Sequence, residues 1–180
     1  MTTDNRGLTL IYTGNGKGKT SAAVGLAVRA AGYDQRVGFF QFIKSEESFS
    51  GEIRSLERLG VEVRQLGIGF TWEKTVEEQR ASLDRAWKFA KERIFSGEYD
   101  LIVLDELNYA LAITGFKIDD VLPLSEVVQV LKDRPQNLHI VITGRGLQEE
   151  LLELADLVSE IEIIKHYYNR GLIAVEGIDL

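Results

Sequence analysis

With 180 residues and a hydrophobic content of 44%, the chain carries enough apolar surface for one substantial core, and no Pro-, Gly- or Ser-rich stretch divides it, so a single domain over residues 1–180 is expected. Its 28 acidic and 21 basic side chains give a formal net charge of -7, which argues against a broad nucleic-acid surface and requires any anionic ligand to be gripped locally. The lack of Cys excludes thiolate metal sites, disulfides and thiol redox chemistry; no apolar run reaches membrane-span length, and Met1 to Arg6 lack a signal-peptide layout, so a cytoplasmic protein is expected.

The first apolar run, Leu8-Thr9-Leu10-Ile11-Tyr12, reads as a strand, and Ser21 to Val28 as a helix. Between them stands Thr13-Gly14-Asn15-Gly16-Lys17-Gly18-Lys19-Thr20. Strand, glycine loop and helix in that order make a phosphate cradle. Gly14, Gly16 and Gly18 let the backbone turn consecutive N–H groups, those of Asn15 and Lys17 included, toward one anion at the positive end of the helix. Lys19 adds a point charge, and the Thr20 hydroxyl a ligand for Mg²⁺. Position 13 is Thr, so the first glycine of the usual P-loop pattern stands one place late, and Lys19 occupies the third glycine of a dinucleotide GxGxxG pattern. A glycine hairpin that binds nothing has no use for two lysines and a helix start at this spacing.

Val37 to Ile43 reads as the second strand, with Lys44 at its end as a further candidate phosphate contact, and Val61 to Leu66 as the third, with a helix near Glu52 to Leu59 between them. Phe70 and Trp72 then fall in the Gly-containing connection Gly67 to Glu73, where they either tuck into the core or form one wall of a pocket for a flat apolar ligand. Thr75-Val76-Glu77-Glu78 has capping-box form and opens a long amphipathic helix that runs until Gly97. Leu101 to Leu104 is a continuous apolar strand, and Asp105 and Glu106 follow it at the sheet edge where the cradle opens. These carboxylates suit a Mg²⁺ site, or else they charge the N-terminus of a following helix.

Further along, Leu124 to Lys132 reads as a helix with Pro123 near its start, and Leu138 to Ile142 as a buried strand that ends in Thr143-Gly144-Arg145-Gly146. Arg145, flanked by glycines, either bridges phosphate oxygens or is solvated in a surface turn. Val158 to Ile164 alternates polar and apolar residues, as an edge strand would, with Leu172 to Val175 as a possible antiparallel partner. His139 and His166 are too isolated for a metal cluster and read as structural or surface histidines. The alternation of strands with helices predicts an α/β fold: a doubly wound, mostly parallel sheet with helices on both faces, P-loop NTPase-like, with an antiparallel edge strand near the C-terminus.

In combination, Thr13 to Thr20, Gln41-Phe42-Ile43-Lys44, Gly69-Phe70-Thr71-Trp72-Glu73, Leu104-Asp105-Glu106-Leu107, Thr143 to Gly146, Lys165-His166 and Gly177-Ile178-Asp179 resemble the P-loop-type ATP:cob(I)alamin (corrinoid) adenosyltransferases, the CobA/BtuR/CobO group. The likeness runs from about Leu8 to the C-terminus. It implies that Co(I) of a corrinoid attacks C5′ of ATP and expels triphosphate, with ATP reversed relative to ordinary P-loop NTPases. Gly14 to Thr20 would then hold the triphosphate, Lys19, Arg145 and Mg²⁺ would neutralise it, and Thr20, Glu106 and Asp105 would hold the metal. Phe70 and Trp72 would lie on the lower corrinoid face and displace its axial ligand, which makes Co(II) easier to reduce.

The same resemblance implies ATP and a corrinoid as substrates, a reduced flavin or flavoprotein as external electron donor, and a homodimer, with neither nucleic acid nor membrane as partner. Three departures stand out: Ser45 where Gly is usual, Tyr167-Tyr168-Asn169-Arg170 in place of a Pro-Phe or Ala-Phe segment, and Val175 where Gln is frequent. The segment before strand one is also shorter than in relatives whose N-terminal helix covers the corrinoid. The competing readings of the same cradle are a P-loop ATPase or small-molecule kinase, and a non-catalytic nucleotide- or corrinoid-binding module.

The two readings of the aromatic pair separate in assay. As a pocket wall, Phe70→Ala or Trp72→Ala abolishes adenosylation that starts from Co(II) with a weak reductant and spares most of the reaction from pre-formed Co(I). As core residues, either truncation costs about 3–5 kcal/mol of stability and depresses both assays equally.

Overall fold

The computed structural model describes residues 6–48, 50–69 and 74–179. Phe70 and Trp72 lie outside the described residues. The chain runs β1 (Thr9–Thr13), α1 (Lys19–Ala31), β2 (Val37–Gln41), α2 (Gly51–Arg58), β3 (Glu62–Gln65), α3 (Val76–Phe95), β4 (Leu101–Asp105), α4 (Leu107–Leu111), α5 (Leu124–Asp133), β5 (His139–Thr143), α6 (Glu149–Leu154) and β6 (Leu157–Glu160). The strands form one six-stranded sheet in the order β3-β2-β4-β5-β1-β6. Every pairing in it is parallel. All the strand C-termini therefore reach one edge, the edge on which ligands of open α/β sheets sit.

Both faces of the sheet are covered, as the apolar runs predict. On one face Ala23, Ala27 and Ala30 of α1 and Leu56 of α2 pack on Phe39, Val103 and Val141. On the other, Leu83, Ala86, Trp87 and Ala90 of α3, with Val127 and Leu131 of α5, pack on Phe40, Ile102, Leu104, Ile140 and Ile142. The central strands β2 and β4 are buried along their whole length, which is why they read as uninterrupted apolar runs. Small residues on the inward stripe of α1 let it lie close over the sheet, where it touches β1, β2, β4 and β5.

The capping box is present as read: Glu78 N donates to Thr75 Oγ1 at 3.2 Å, and Thr75 N donates back to Glu78 Oε2 at 2.8 Å. Pro123 stands at the N-cap of α5. At the C-terminal edge the expectation of an antiparallel strand is corrected. β6 lies beside β1 in parallel, Leu10 opposite Leu157 and Thr13 opposite Glu160, and residues 172–175 belong to no strand. The reason is α6, six residues that serve as the crossover from β5 to β6. A helical crossover returns the chain to its starting end, so the next strand must run the same way. The polar–apolar alternation came from the edge position, not from direction.

Trp87 is 1% exposed, and its Nε1 donates to Glu126 Oε2 at 3.1 Å, joining α3 to α5 beneath the sheet. Trp87→Ala should lower unfolding free energy by about 3–5 kcal/mol in urea titration, and Trp87→Phe by clearly less. A Trp87→Ala protein within about 1 kcal/mol of the parent would refute this packing role.

Candidate active site

The loop between β1 and α1 is built to receive an anion. Gly14 and Gly18 adopt φ values of 95° and 121°, a region that β-carbon sterics close to most residues. Gly18 is the N-cap of α1, no side chain caps the helix, and its first turn carries no acidic residue, so the helix start is left for a ligand. Lys19, 6% exposed, folds over the loop: its Nζ donates to Gly14 O at 2.9 Å and to Gly16 O at 2.8 Å. Burial lowers its pKa, with Glu106 pulling the other way. An arriving phosphate would offer this ammonium a stronger acceptor than the two carbonyls.

Beneath Thr20 lies the Asp105 carboxylate, 1% exposed at the end of β4. Its Oδ1 accepts from Thr20 Oγ1 at 2.9 Å and Thr143 Oγ1 at 2.7 Å, and its Oδ2 from Gln41 Nε2 at 3.1 Å. Burial pushes its pKa above the usual carboxylate range, against the pull of the Thr143, Gln41 and Thr20 donors. Because Thr20 spends its proton on Asp105, the hydroxyl lone pairs remain free to face a cation.

Glu106 leaves the strand in the left-handed region, φ 63°, with its N–H donating to Thr143 Oγ1 at 2.9 Å. That turn puts its carboxyl on the cleft wall, whereas Asp105 keeps strand geometry and stays below. Burial raises the Glu106 pKa, and the neighbouring Asp105 raises it further, opposed by Lys19, Arg145 and Lys44.

These groups surround a cleft of about 840 Å³. Asn15 to Ser21 form its floor, and Glu106 and Arg145 stand on its wall. Lys44 lines it too, paired with Glu52 at 2.8 Å. Arg145 is exposed on the turn that follows β5, and that turn is tied to β1 where Gly144 N donates to Tyr12 O at 3.2 Å. The structure thus brings together Asn15, Gly16, Lys17, Gly18, Lys19, Thr20, Lys44, Glu106 and Arg145.

The sequence reading missed two contributions: α2, through Gly51, Glu52 and Ser55, and the C-terminal segment, through Ile163, Tyr168, Asn169 and Ile178. His166 also lines the cleft while its Nδ1 accepts from Tyr168 N at 3.1 Å, so it caps the turn at Tyr167–Arg170. His139, by contrast, is structural, its Nδ1 accepting from Leu8 N at 3.1 Å. Among the described residues no three His, Cys, Asp or Glu side chains cluster as a self-sufficient metal cage.

A parallel doubly wound sheet with this glycine loop at its carboxyl edge defines a P-loop α/β protein. The fold is shared with a KaiC-like protein of Pyrococcus horikoshii OT3, TM-score 0.53 at 15% identity over 89% of this chain and 75% of that one. More specifically, the chain belongs to the ATP:corrinoid adenosyltransferase BtuR/CobO/CobP family, whose model matches residues 5–180. It is 44% identical over 177 residues to a corrinoid adenosyltransferase of Escherichia coli (strain K12), covering 98% of this chain and 87% of the relative. The corrinoid adenosyltransferase CobA of Salmonella typhimurium is 42% identical over the same shares. One from Pseudomonas aeruginosa is 41% identical over 98% of this chain and 85% of its own.

The raised Glu106 pKa yields a stability test. Folding disfavours the ionised form, so this group's contribution is greatest below its unfolded pKa, about 4.3 for Glu, and is lost as pH rises through the folded value. Glu106→Gln should therefore raise the melting temperature of the ligand-free protein near pH 8, with the gain vanishing near pH 4. A lower melting temperature near pH 8 would make Glu106 a structural anchor instead.

Proposed function

We propose that this chain transfers the 5′-deoxyadenosyl group of ATP to Co(I) of a corrinoid. The cobalt lone pair forms the Co–C5′ bond, the C5′–O bond breaks, and its electron pair leaves with triphosphate. The observation that carries the reading is the cradle itself, with Lys19, Thr20, Glu106 and Arg145 around one cleft, in a chain matched by the family model over residues 5–180.

In this reading the loop from Gly14 to Thr20 cradles the triphosphate with its backbone N–H groups other than that of Gly16, which donates to Ile161 O, and Lys19 moves from the loop carbonyls onto its oxygens. Arg145 and Lys44 add charge from the wall as negative charge builds on the leaving oxygen. A Mg²⁺ ion fits the donor set, hard oxygens from Thr20 and Glu106 with room for phosphate oxygens and water. When bound, it supplies electrostatic neutralisation of the leaving triphosphate. Asp105 supports that site from below by orienting Thr20. Phe70 and Trp72 serve the corrinoid, as the resemblance implies.

The same reading places the enzyme in the cytoplasm, with reduced flavin or a flavoprotein converting Co(II) to Co(I), and as a homodimer. Among the described residues no helix is long and apolar enough to cross a membrane. What supports self-association is the open edge of β6, whose Leu157 is 43% exposed, together with Ile164 and Ile173 of the C-terminal segment, 99% and 81% exposed.

Mixing the protein with MgATP and chemically reduced cobalamin should give a light-sensitive alkylcobalt spectrum and one inorganic triphosphate per adenosylcobalamin. ADP and orthophosphate as the stoichiometric products, with no such spectrum, would return the chain to the kinases and ATPases.

A further inference from the structure

After β6 the chain turns back across the mouth of the phosphate loop. Gly16 N donates to Ile161 O at 2.7 Å, and that carbonyl lies 2.5 Å from where a β-carbon on Gly14 would stand. Glycine at these positions therefore serves two purposes, the loop's own shape and the close approach of the returning segment. The segment is then fastened a second time, farther along, by Asp179. Its Oδ1 accepts from Lys17 Nζ and from the Tyr167 hydroxyl, and its Oδ2 accepts from Val175 N at 2.8 Å. One carboxylate joins the phosphate loop, the turn at Tyr167–Arg170 and the turn that ends the chain. The Lys17 and Tyr167 donors hold its pKa down to about 2, so the pair stays charged throughout the neutral range.

Lys17 is the loop lysine that does not fold onto the loop carbonyls. It lines the cleft, its side chain is 37% exposed, and an unheld lysine there would sample many rotamers. An ammonium has three donors in rotation, so a bond to Asp179 fixes its position and leaves donor capacity toward the cleft. Tyr167 belongs to the segment Tyr167-Tyr168-Asn169-Arg170 that departs from the family pattern noted above, and its hydroxyl gives that departure a role: it holds the same oxygen that holds Lys17.

We propose that Asp179 is a positioning residue of the nucleotide site: through Lys17 it aims a second cation at the triphosphate, and Tyr167 steadies it. The inference rests on the nucleotide reading above. Preorganising a flexible cation lowers the ordering cost of binding, so the effect falls on affinity rather than on the chemical step.

The test measures binding of inorganic tripolyphosphate and of MgATP by calorimetry, alongside KM for ATP and kcat, for the parent chain, Asp179→Asn, Lys17→Met, the double variant and Tyr167→Phe. Asp179→Asn and Lys17→Met should each weaken both ligands about tenfold and raise KM for ATP similarly, with kcat within about twofold, the loss expected of one charge-assisted contact. The double variant should bind no worse than Lys17→Met, because Asp179 acts only through Lys17. Tyr167→Phe, which removes one hydroxyl and keeps the ion pair, should show a smaller loss in the same direction and stands in if Asp179→Asn fails to fold. Unchanged affinity in Asp179→Asn, or losses that add in the double variant, would overturn the proposal and leave Asp179 as a tether of the tail. A parent protein that binds neither ligand would instead sink the nucleotide reading itself.

Discussion

The site depends on one buried charge. Asp105 sits at the end of a strand with its carboxylate out of water, and such a group is tolerated only when donors surround it. The donors come from α1 (Thr20), β2 (Gln41) and β5 (Thr143), so a single side chain fastens the helix that carries the phosphate loop to three adjacent strands. Thr143 then passes the constraint on, since the hydroxyl that donates to Asp105 accepts from the backbone of Glu106 and helps to hold that residue in its left-handed turn. What faces the cleft as a cation-ready hydroxyl and a carboxylate is thus set by a group that does not reach the cleft.

The parallel sheet makes this arrangement possible. Residues Thr13, Gln41, Asp105 and Thr143 end their strands on one edge because every strand runs the same way, and β2 is in register with β4 so that Gln41 lies opposite Asp105. The same geometry sends the chain beyond β6 over the glycine loop, where Ile161 and Asp179 meet it. The cleft is therefore closed by residues from both ends of the chain, and its phosphate floor and its tail wall are parts of one hydrogen-bonded unit.

Much of this was legible in the sequence because its physics is local. The run Leu101 to Leu104 announced a strand buried on both faces, Thr75 to Glu78 announced a helix start, and the glycine spacing before Lys19 announced the cradle. What was not legible is long-range or too short to carry a period. The helix α6 spans six residues, less than two full turns, and without it β6 looked like half of a hairpin. Asp105 and Glu106 are neighbours of the same charge, and only the departure of Glu106 into φ 63° decides which one reaches the cleft. The bond between Lys17 and Asp179 spans 162 positions, and no pattern in either neighbourhood foretells it. The aromatic pair Phe70 and Trp72 was conspicuous for its chemistry alone.

The most direct test of the central role of Asp105 is MgATP affinity across a double-mutant cycle that pairs Asp105→Asn with Thr143→Val. If one carboxylate organises the edge, each single change weakens binding and the double variant is little worse than the weaker single, a coupling of about 0.5–3 kcal/mol. Losses that simply add would show the two side chains acting independently, and the account of a site held together from beneath would fail.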